Sequence, residues 1–293
     1  MGARAAQKIS EVCLIPQNFG IGGVDVLKKI LIRQGVDERL IVESQERPFQ
    51  KISVYFANNT KARMFLKMIR MLKLKDVRIM NKRLGRRDWK IKWKDDFKPF
   101  ALSRTFGVVP MWLKKSYMFQ GKVAVYIDTD TAFGTGLHPT TKHMARFVDS
   151  CRGRFKSFLD VGTGTGILPI VAAKCGAEKI DAIEICPDAA RVARKNVIAN
   201  GCPQVHIRVA DARQLRPKTQ YDFVCANIIT QTLVELADKL VRSVCPGKYL
   251  AVSGISANNY MNFRAYYARY PLRCLKVVKD GGWTAILYQR KDA

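Results

Sequence analysis

The stretch Ser157–Leu168, S-F-L-D-V-G-T-G-T-G-I-L, leaves the chain few folds to choose from. Phe158, Leu159 and Val161 form a short apolar run. Glycines then occupy positions 162, 164 and 166, and an apolar helical pattern (Ile167, Leu168, Ile170, Val171) starts at once. That order predicts a buried strand, a turn that needs positive φ angles, and a helix N-terminus. A ligand can approach bare backbone at such a turn, where N–H groups and the helix dipole favour polar or anionic chemistry. Gly162, Gly164 and Gly166 are therefore candidate cofactor contacts, and Asp160, on the strand just ahead of them, joins them.

The spacing is G-x-G-x-G, not the G-x-G-x-x-G of dinucleotide binders. Lys179–Ile185, K-I-D-A-I-E-I, reads as the next strand. Glu184 near its end lies about 20 residues past the glycines, where a carboxylate can accept from both hydroxyls of a ribose. A helix over 188–200 follows Pro187 and stops at Gly201. A strand over 205–209 runs to Asp211, placed to reach an adenine amino group, and a strand over 222–226 leads into Asn227. A helix over 231–244, a strand over 249–253, a helix over 258–270 and an antiparallel pair (272–278 and 283–288) across Gly281-Gly282 complete the pattern. Alternating β and α units predict an α/β fold with a Rossmann-like, doubly wound parallel sheet. Ligands of such sheets bind at the carboxyl ends of the strands, where Gly162, Glu184, Asp211 and Asn227 all fall.

Residues 8–83 read as a smaller unit. Strands over 8–15, 39–43, 51–56 and 76–80 and amphipathic helices over 22–34 and 59–72 give the order β-α-β-β-α-β, which is ferredoxin-like. No chemistry is visible in it, and an interaction role is the natural reading. The expected domains are therefore 1–83 (ferredoxin-like, substrate recognition), 84–122 (a basic linker with connecting strands, among them 106–109) and 123–293 (catalytic), the last opening on a strand over 123–127. Within the linker, Trp89, Trp93 and Phe97 interleave with Lys and Arg, a pattern able to stack on bases. Their four-residue spacing equally fits one helical stripe packed on the catalytic domain, and that is the reading we adopt.

Asp128–Thr141, D-T-D-T-A-F-G-T-G-L-H-P-T-T, is a second chemically dense stretch between a strand and a helix over 141–148. Phe133 can cover a ring, while Thr135 and the backbone at Gly134 and Gly136 can supply hydrogen bonds. His138, immediately before Pro139, reads as a helix cap ahead of a proton acceptor.

Composition sets the outer bounds. The chain has 293 residues, enough for two domains, and 48% of them are apolar. No apolar run reaches the ~18 residues of a membrane helix. The start M-G-A-R-A-A-Q-K has no signal-peptide core, and Ala6 stands where a myristoylation site needs Ser or Thr. Eight scattered cysteines and three histidines disfavour a disulfide framework or a metal site and fit a reducing cytoplasm. The net charge is +27: residues 1–122 carry 27 basic and 10 acidic side chains, the remainder 24 and 14. Such a field attracts RNA or an RNA-rich particle, and it also serves solubility alone.

The loop A-F-G-T-G-L-H-P-T-T, followed by D-V-G-T-G-T-G-I-L, A-N-I-I and S-G-I, resembles the ribosomal protein L11 methyltransferases (PrmA type), within the Rossmann-like S-adenosylmethionine-dependent class. The D-W-…-W-…-F-K-P connector and the front domain are similar to that family too, so the likeness covers nearly the whole chain. The resemblance implies transfer of methyl groups from S-adenosylmethionine to lysine ε-amino and/or N-terminal α-amino groups of a large-subunit ribosomal protein, with the front domain gripping the substrate. It also implies that Phe133, Gly134 and Thr135 line the cofactor and methyl-transfer site. The three glycines would hold the methionine part, Glu184 the ribose, and Asn227 the accepting amine. Thr135 and Asn227 are thus the catalytic candidates. The chain departs from the pattern in D-T-D for D-P-G, in Leu137 for a polar or small residue, in an early Pro169, and in its basic charge, since family members are often acidic.

An attacking amine must be neutral. For a lysine with pKa near 10.4 neutrality at pH 7 costs roughly 4–5 kcal/mol, and for an α-amino group about 1 kcal/mol. An amide such as Asn227 can accept an N–H and aim the lone pair, whereas a carboxylate would hold the proton on. Two alternatives stand beside this reading. An RNA base-amine methyltransferase would want an aromatic side chain next to Asn227, where the chain has Ile228-Ile229-Thr230. A non-enzymatic ribosome-assembly factor would have no need of the intact glycines, Glu184 and Asn227. The expected protein is a cytoplasmic monomer that contacts a ribosomal protein, with ribosomal RNA contact through its basic surface and no membrane contact.

Overall fold

Alternating apolar residues build the front sheet in the computed structural model, which describes residues 9–17, 23–33, 36, 41–44, 51–56, 59–72, 74, 76–84, 97–128, 134–215 and 219–292. The chain divides into two compact units, Met1–Phe97 and Lys98–Ala293. In the first, β1 (Ile9–Pro16), β2 (Ile41–Ser44), β3 (Lys51–Phe56) and β4 (Val77–Leu84) form one sheet in the order β2-β3-β1-β4, antiparallel throughout. Val12 and Leu14 of β1 and Ile52, Val54 and Phe56 of β3 point to one face. Leu27 and Leu31 of α1 (Gly23–Arg33) and Ala62, Phe65, Leu66 and Ile69 of α2 (Asn59–Met71) cover it. The order β-α-β-β-α-β and the strand arrangement are ferredoxin-like.

The stretch 84–122 divides where a linker was expected. Trp89 and Trp93 lie outside the described residues, and Phe97 is buried. From Lys98 the chain belongs to the second unit, in which β5 (Phe100–Ala101), β6 (Phe106–Pro110) and β7 (Val123–Ile127) form a three-stranded sheet. All five residues of β6 are buried, which explains why an apolar F-G-V-V-P stretch sits in a region otherwise rich in charge.

The main sheet has seven strands: β8 (Ser157–Val161), β9 (Lys179–Glu184), β10 (Val205–Val209), β11 (Tyr221–Asn227), β12 (Val244–Ser256), β13 (Leu272–Asp280) and β14 (Trp283–Arg290). They lie in the order β10-β9-β8-β11-β12-β14-β13. The first five are parallel, and β14 inserts antiparallel between β12 and β13. α3 (Pro139–Ser150) precedes β8, and crossovers run through α4 (Ile167–Lys174), α5 (Pro187–Ala199), α6 (Thr230–Glu235), α7 (Ala237–Arg242) and α8 (Tyr260–Tyr267). The chain order reverses between β8 and β11, so the ends of these two strands define the crevice where a ligand belongs.

Two elements differ from the sequence reading. The helix expected over 231–244 is two short helices that meet at Leu236. The strand expected over 249–253 runs from Val244 to Ser256, because β11 on one side and β14 on the other give it partners along most of that length. No helix among the described residues is long and apolar enough to cross a membrane.

Candidate active site

The glycine turn closes β8 against β9. Gly162, Gly164 and Gly166 all have positive φ angles, between 57° and 80°. The Gly162 and Thr163 N–H groups donate to Ile183 O at 2.8 and 3.1 Å, and Gly166 N donates to Thr163 O at 2.9 Å. Gly164 N donates to Glu184 Oε2 at 2.9 Å. Four of the turn's N–H groups therefore bond within the protein, and Gly162 and Gly164, both half-exposed, present bare Cα surface to a ligand. Glu184 is nine-tenths buried and its other oxygen, Oε1, accepts from Cys186 N at 3.0 Å. A carboxylate offers about four lone-pair sites. Glu184 thus keeps acceptor capacity on both oxygens while its position is fixed by two backbone groups.

Asp160 is an anomaly that points to a ligand. It is fully buried one residue before the end of β8, and among the described residues neither carboxyl oxygen has a hydrogen-bond partner. Burial, with the Glu184 charge adding to it, pushes its carboxyl up to about 7. The Thr163 hydroxyl, itself buried and unpartnered, is near enough to temper that rise but makes no bond of good geometry. Buried unpaired polar groups in native proteins call for an explanation. Two acceptors and a hydroxyl left open under the glycine turn suit a ligand carrying a cationic amine, as the methionine part of S-adenosylmethionine does.

The loop ahead of α3 reaches the turn. Thr165 Oγ1 donates to Gly134 O at 2.6 Å. Gly136, with φ of +90°, packs so closely that a Cβ would stand 3.1 Å from both Ile167 and Phe100. Thr135 Oγ1 accepts from Leu137 N at 3.3 Å, and Thr135 is half-buried. His138 caps α3: its Nδ1 accepts from Thr140 N, and its ring meets Trp283 edge-on at 5.3 Å. Phe133 lies outside the described residues.

At the end of β11, Asn227 is half-buried, and its Nδ2 donates to Thr141 Oγ1 at a long 3.5 Å. Among the described residues no group takes its Oδ1. Asp211 stands at the end of β10, but Arg213 engages it, through a backbone N–H at 2.8 Å and the guanidinium at 3.3 Å. Those contacts hold its carboxyl below the usual range. The structure thus gathers Gly162, Gly164, Glu184, Asp160, Gly134 and Asn227 around the ends of β8, β9 and β11, with Asp211 at the adjoining strand end.

Two features of the site escaped the sequence reading. Ile228 is wedged between two glycines: a Cβ on Gly162 would lie 2.5 Å from its Cγ2, and one on Gly254 would lie 2.1 Å from its carbonyl oxygen. The only sequence hint was the S-G-I triplet of β12. The second is Asn196 of α5, completely buried and bonded to Asp128 O and Thr165 O at 2.8 and 2.9 Å.

A parallel sheet with β14 inserted antiparallel next to β12, and a glycine turn after β8, define the Rossmann-like S-adenosylmethionine-dependent methyltransferases. Comparison with known proteins narrows the class. Residues 4–291 match the family model described as ribosomal protein L11 methyltransferase (PrmA), and the chain belongs to that family. A ribosomal protein L11 methyltransferase of Geotalea daltonii is 35% identical, over 68% of this chain and 66% of its own length. One from Staphylococcus aureus is 30% identical, over 73% and 69%. The aligned part thus spans about two thirds of these relatives. A crystal structure of ribosomal protein L11 methylase from Lactobacillus delbrueckii subsp. bulgaricus is similar with a TM-score of 0.61 and 25% identity, covering 67% of this chain and all of that one.

Proposed function

We propose that this protein transfers methyl groups from S-adenosylmethionine to amino groups, lysine ε-amino and/or N-terminal α-amino, of ribosomal protein L11. The observation that carries the reading is Asn227: a half-buried amide at the end of β11, beside the glycine turn, followed by Ile228 and the largely exposed Ile229. The bound cofactor supplies an electrophilic methyl group on a sulfonium. Asn227 Oδ1 accepts one N–H of the incoming neutral amine and aims its lone pair, and Thr141 holds the other end of the amide. Neutral Asn227 stabilises no ammonium, and the partly dry site lowers the pKa of the amine. Glu184 would take the ribose hydroxyls on its remaining lone pairs, Asp160 and the glycines Gly162, Gly164 and Gly166 would hold the methionine part, and Asp211 would serve the adenine. Gly134 and Thr135 would line the rest of the cofactor site, with Thr135 beside the methyl-transfer path. No aromatic side chain follows Asn227 to stack on a base, which favours a protein amine over a nucleobase. The front unit grips the substrate, and eight free cysteines fit work in a reducing cytoplasm.

The test is methyl transfer to purified ribosomal protein L11, read by mass spectrometry. The reading predicts methylated lysine or N-terminal amine that requires both enzyme and S-adenosylmethionine. Unmodified protein after full-length enzyme has been shown to bind the cofactor would contradict it.

One observation favours an RNA contact alongside this activity. In α2, Arg63, Lys67 and Arg70 line one groove with Leu66 and Met71, and Asn59–Met71 contains no acidic residue. A basic stripe along one helix face is the footprint of a phosphate backbone. Replacing the three by Gln lowers RNA affinity and the salt slope by up to about three phosphate contacts. An unchanged slope would remove α2 from the contact.

A further inference from the structure

The small sheet has an open edge at β7, since among the described residues β6 is its only strand partner. That edge is closed by side chains. Asn200 Oδ1 accepts from Tyr126 N at 2.9 Å, and its Nδ2 donates to Tyr126 O at 2.6 Å. One turn earlier, Asn196 Oδ1 accepts from Asp128 N at 2.8 Å, and its Nδ2 donates to Asp128 O at 2.8 Å. Each amide pairs with a backbone as a neighbouring strand would. The geometry allows it because four residues of helix rise about 6 Å, close to the roughly 6.6 Å spanned by two residues of strand.

The two amides differ in their third bond, which for Asn200 runs one turn back to Asn196 O at 2.8 Å. Asn196 also donates to Thr165 O at 2.9 Å, in the glycine turn. Thr165, fully buried, donates its hydroxyl to Gly134 O at 2.6 Å. Asp128 and Gly134 are therefore both tied to Thr165, one through Asn196 and one directly. We propose that Asn196 and Thr165 are positioning residues for the cofactor: they fix Gly134 and Thr135 against the glycine turn and so determine cofactor affinity, while Asn200 serves only to dock the small sheet. The proposal rests on the reading of the site given above. It deepens that reading by adding two residues whose side chains bond backbone groups around the glycine turn.

The experiment compares full-length Asn196→Ala, Asn200→Ala, Thr165→Val and Thr165→Ser with the unaltered chain. Calorimetric titration with S-adenosylmethionine and backbone amide exchange without ligand are the readouts. We expect Asn196→Ala to expose the Asp128 amide and Asn200→Ala the Tyr126 amide, with similar losses of melting temperature. Kd rises about tenfold for Asn196→Ala and Thr165→Val, the effect of one net hydrogen bond. It stays within about twofold for Asn200→Ala and for Thr165→Ser, which keeps the hydroxyl. If Asn196→Ala does not fold, the Thr165 pair decides. Equal Kd for the two asparagine variants, an unchanged Asp128 amide in Asn196→Ala, or Thr165→Val binding as well as Thr165→Ser would overturn the positioning role. Absence of binding by the unaltered chain would instead overturn the reading of the site itself, and the positioning role with it.

Discussion

Asn227 and Asp160 carry opposite demands on charge, and each gives a prediction. In the proposed mechanism Asn227 must leave the amine neutral and aimed. Asn227→Ala should retain near-normal S-adenosylmethionine affinity and lose transfer rate by roughly 100-fold, since positioning terms of several kcal/mol are typical; initial rates and titration on the same preparation check it. Asp160 holds its proton to about pH 7 in the folded state, against 3.8 as its ordinary value. Between those values the folded chain keeps a proton that the unfolded chain has lost. Its contribution to stability therefore falls as pH rises through that window and levels off above it. Asp160→Asn should melt above the unaltered, ligand-free protein by a margin that grows from about pH 4 to about pH 7 and then stays constant. A margin independent of pH would contradict the buried-proton account. Much of the candidate site's geometry at this scale was legible. Glu184 stands at a spacing from the glycines that chemistry dictates, and His138 before Pro139 announced its cap. Asn196 was not legible, because an asparagine on a helix defaults to the surface, and its partner Asp128 is 68 residues away in sequence.

Among the elements, the strand ends hold the site and the glycines let them come together. Gly254 interrupts β12 with φ of +87°, and the register with β14 shifts between Ser253 and Ile255. A Cβ there would stand 2.1 Å from the Ile228 carbonyl, one residue beyond Asn227. Gly254→Ala should cost more than about 2 kcal/mol, through backbone strain plus that collision. It should also slow transfer in the molecules that remain folded; thermal melts and initial rates measure the two effects. Strand β10 was readable to the residue, because Val205, Ile207 and Val209 alternate with polar residues between the Gly201 stop and Asp211. The break at Leu236 was not, since Leu233, Ala237, Leu240 and Val241 continue the apolar spacing of one helix straight across it. Nor was the full length of β12, which depends on partners at both its edges.

Over the whole molecule, one unit carries the candidate site and the other carries part of the +27 net charge. The ferredoxin-like order and the parallel sheet were both visible in the order of elements, whereas the assignment of 98–122 to the second unit was not, because the pairing of β6 with β7 depends on residues across the 111–122 connection. A net charge of +27 raises RNA as a competing destination for the methyl group. The decisive measurement offers labelled S-adenosylmethionine, free ribosomal protein L11 and ribosomal RNA in one mixture, across a salt series, with the unaltered chain and Asn227→Ala in parallel. Label is expected in the protein fraction, with a modest decline with salt and its loss in Asn227→Ala. Label found chiefly in RNA, falling steeply with salt as phosphate contacts release counterions and lost in Asn227→Ala, would contradict this expectation.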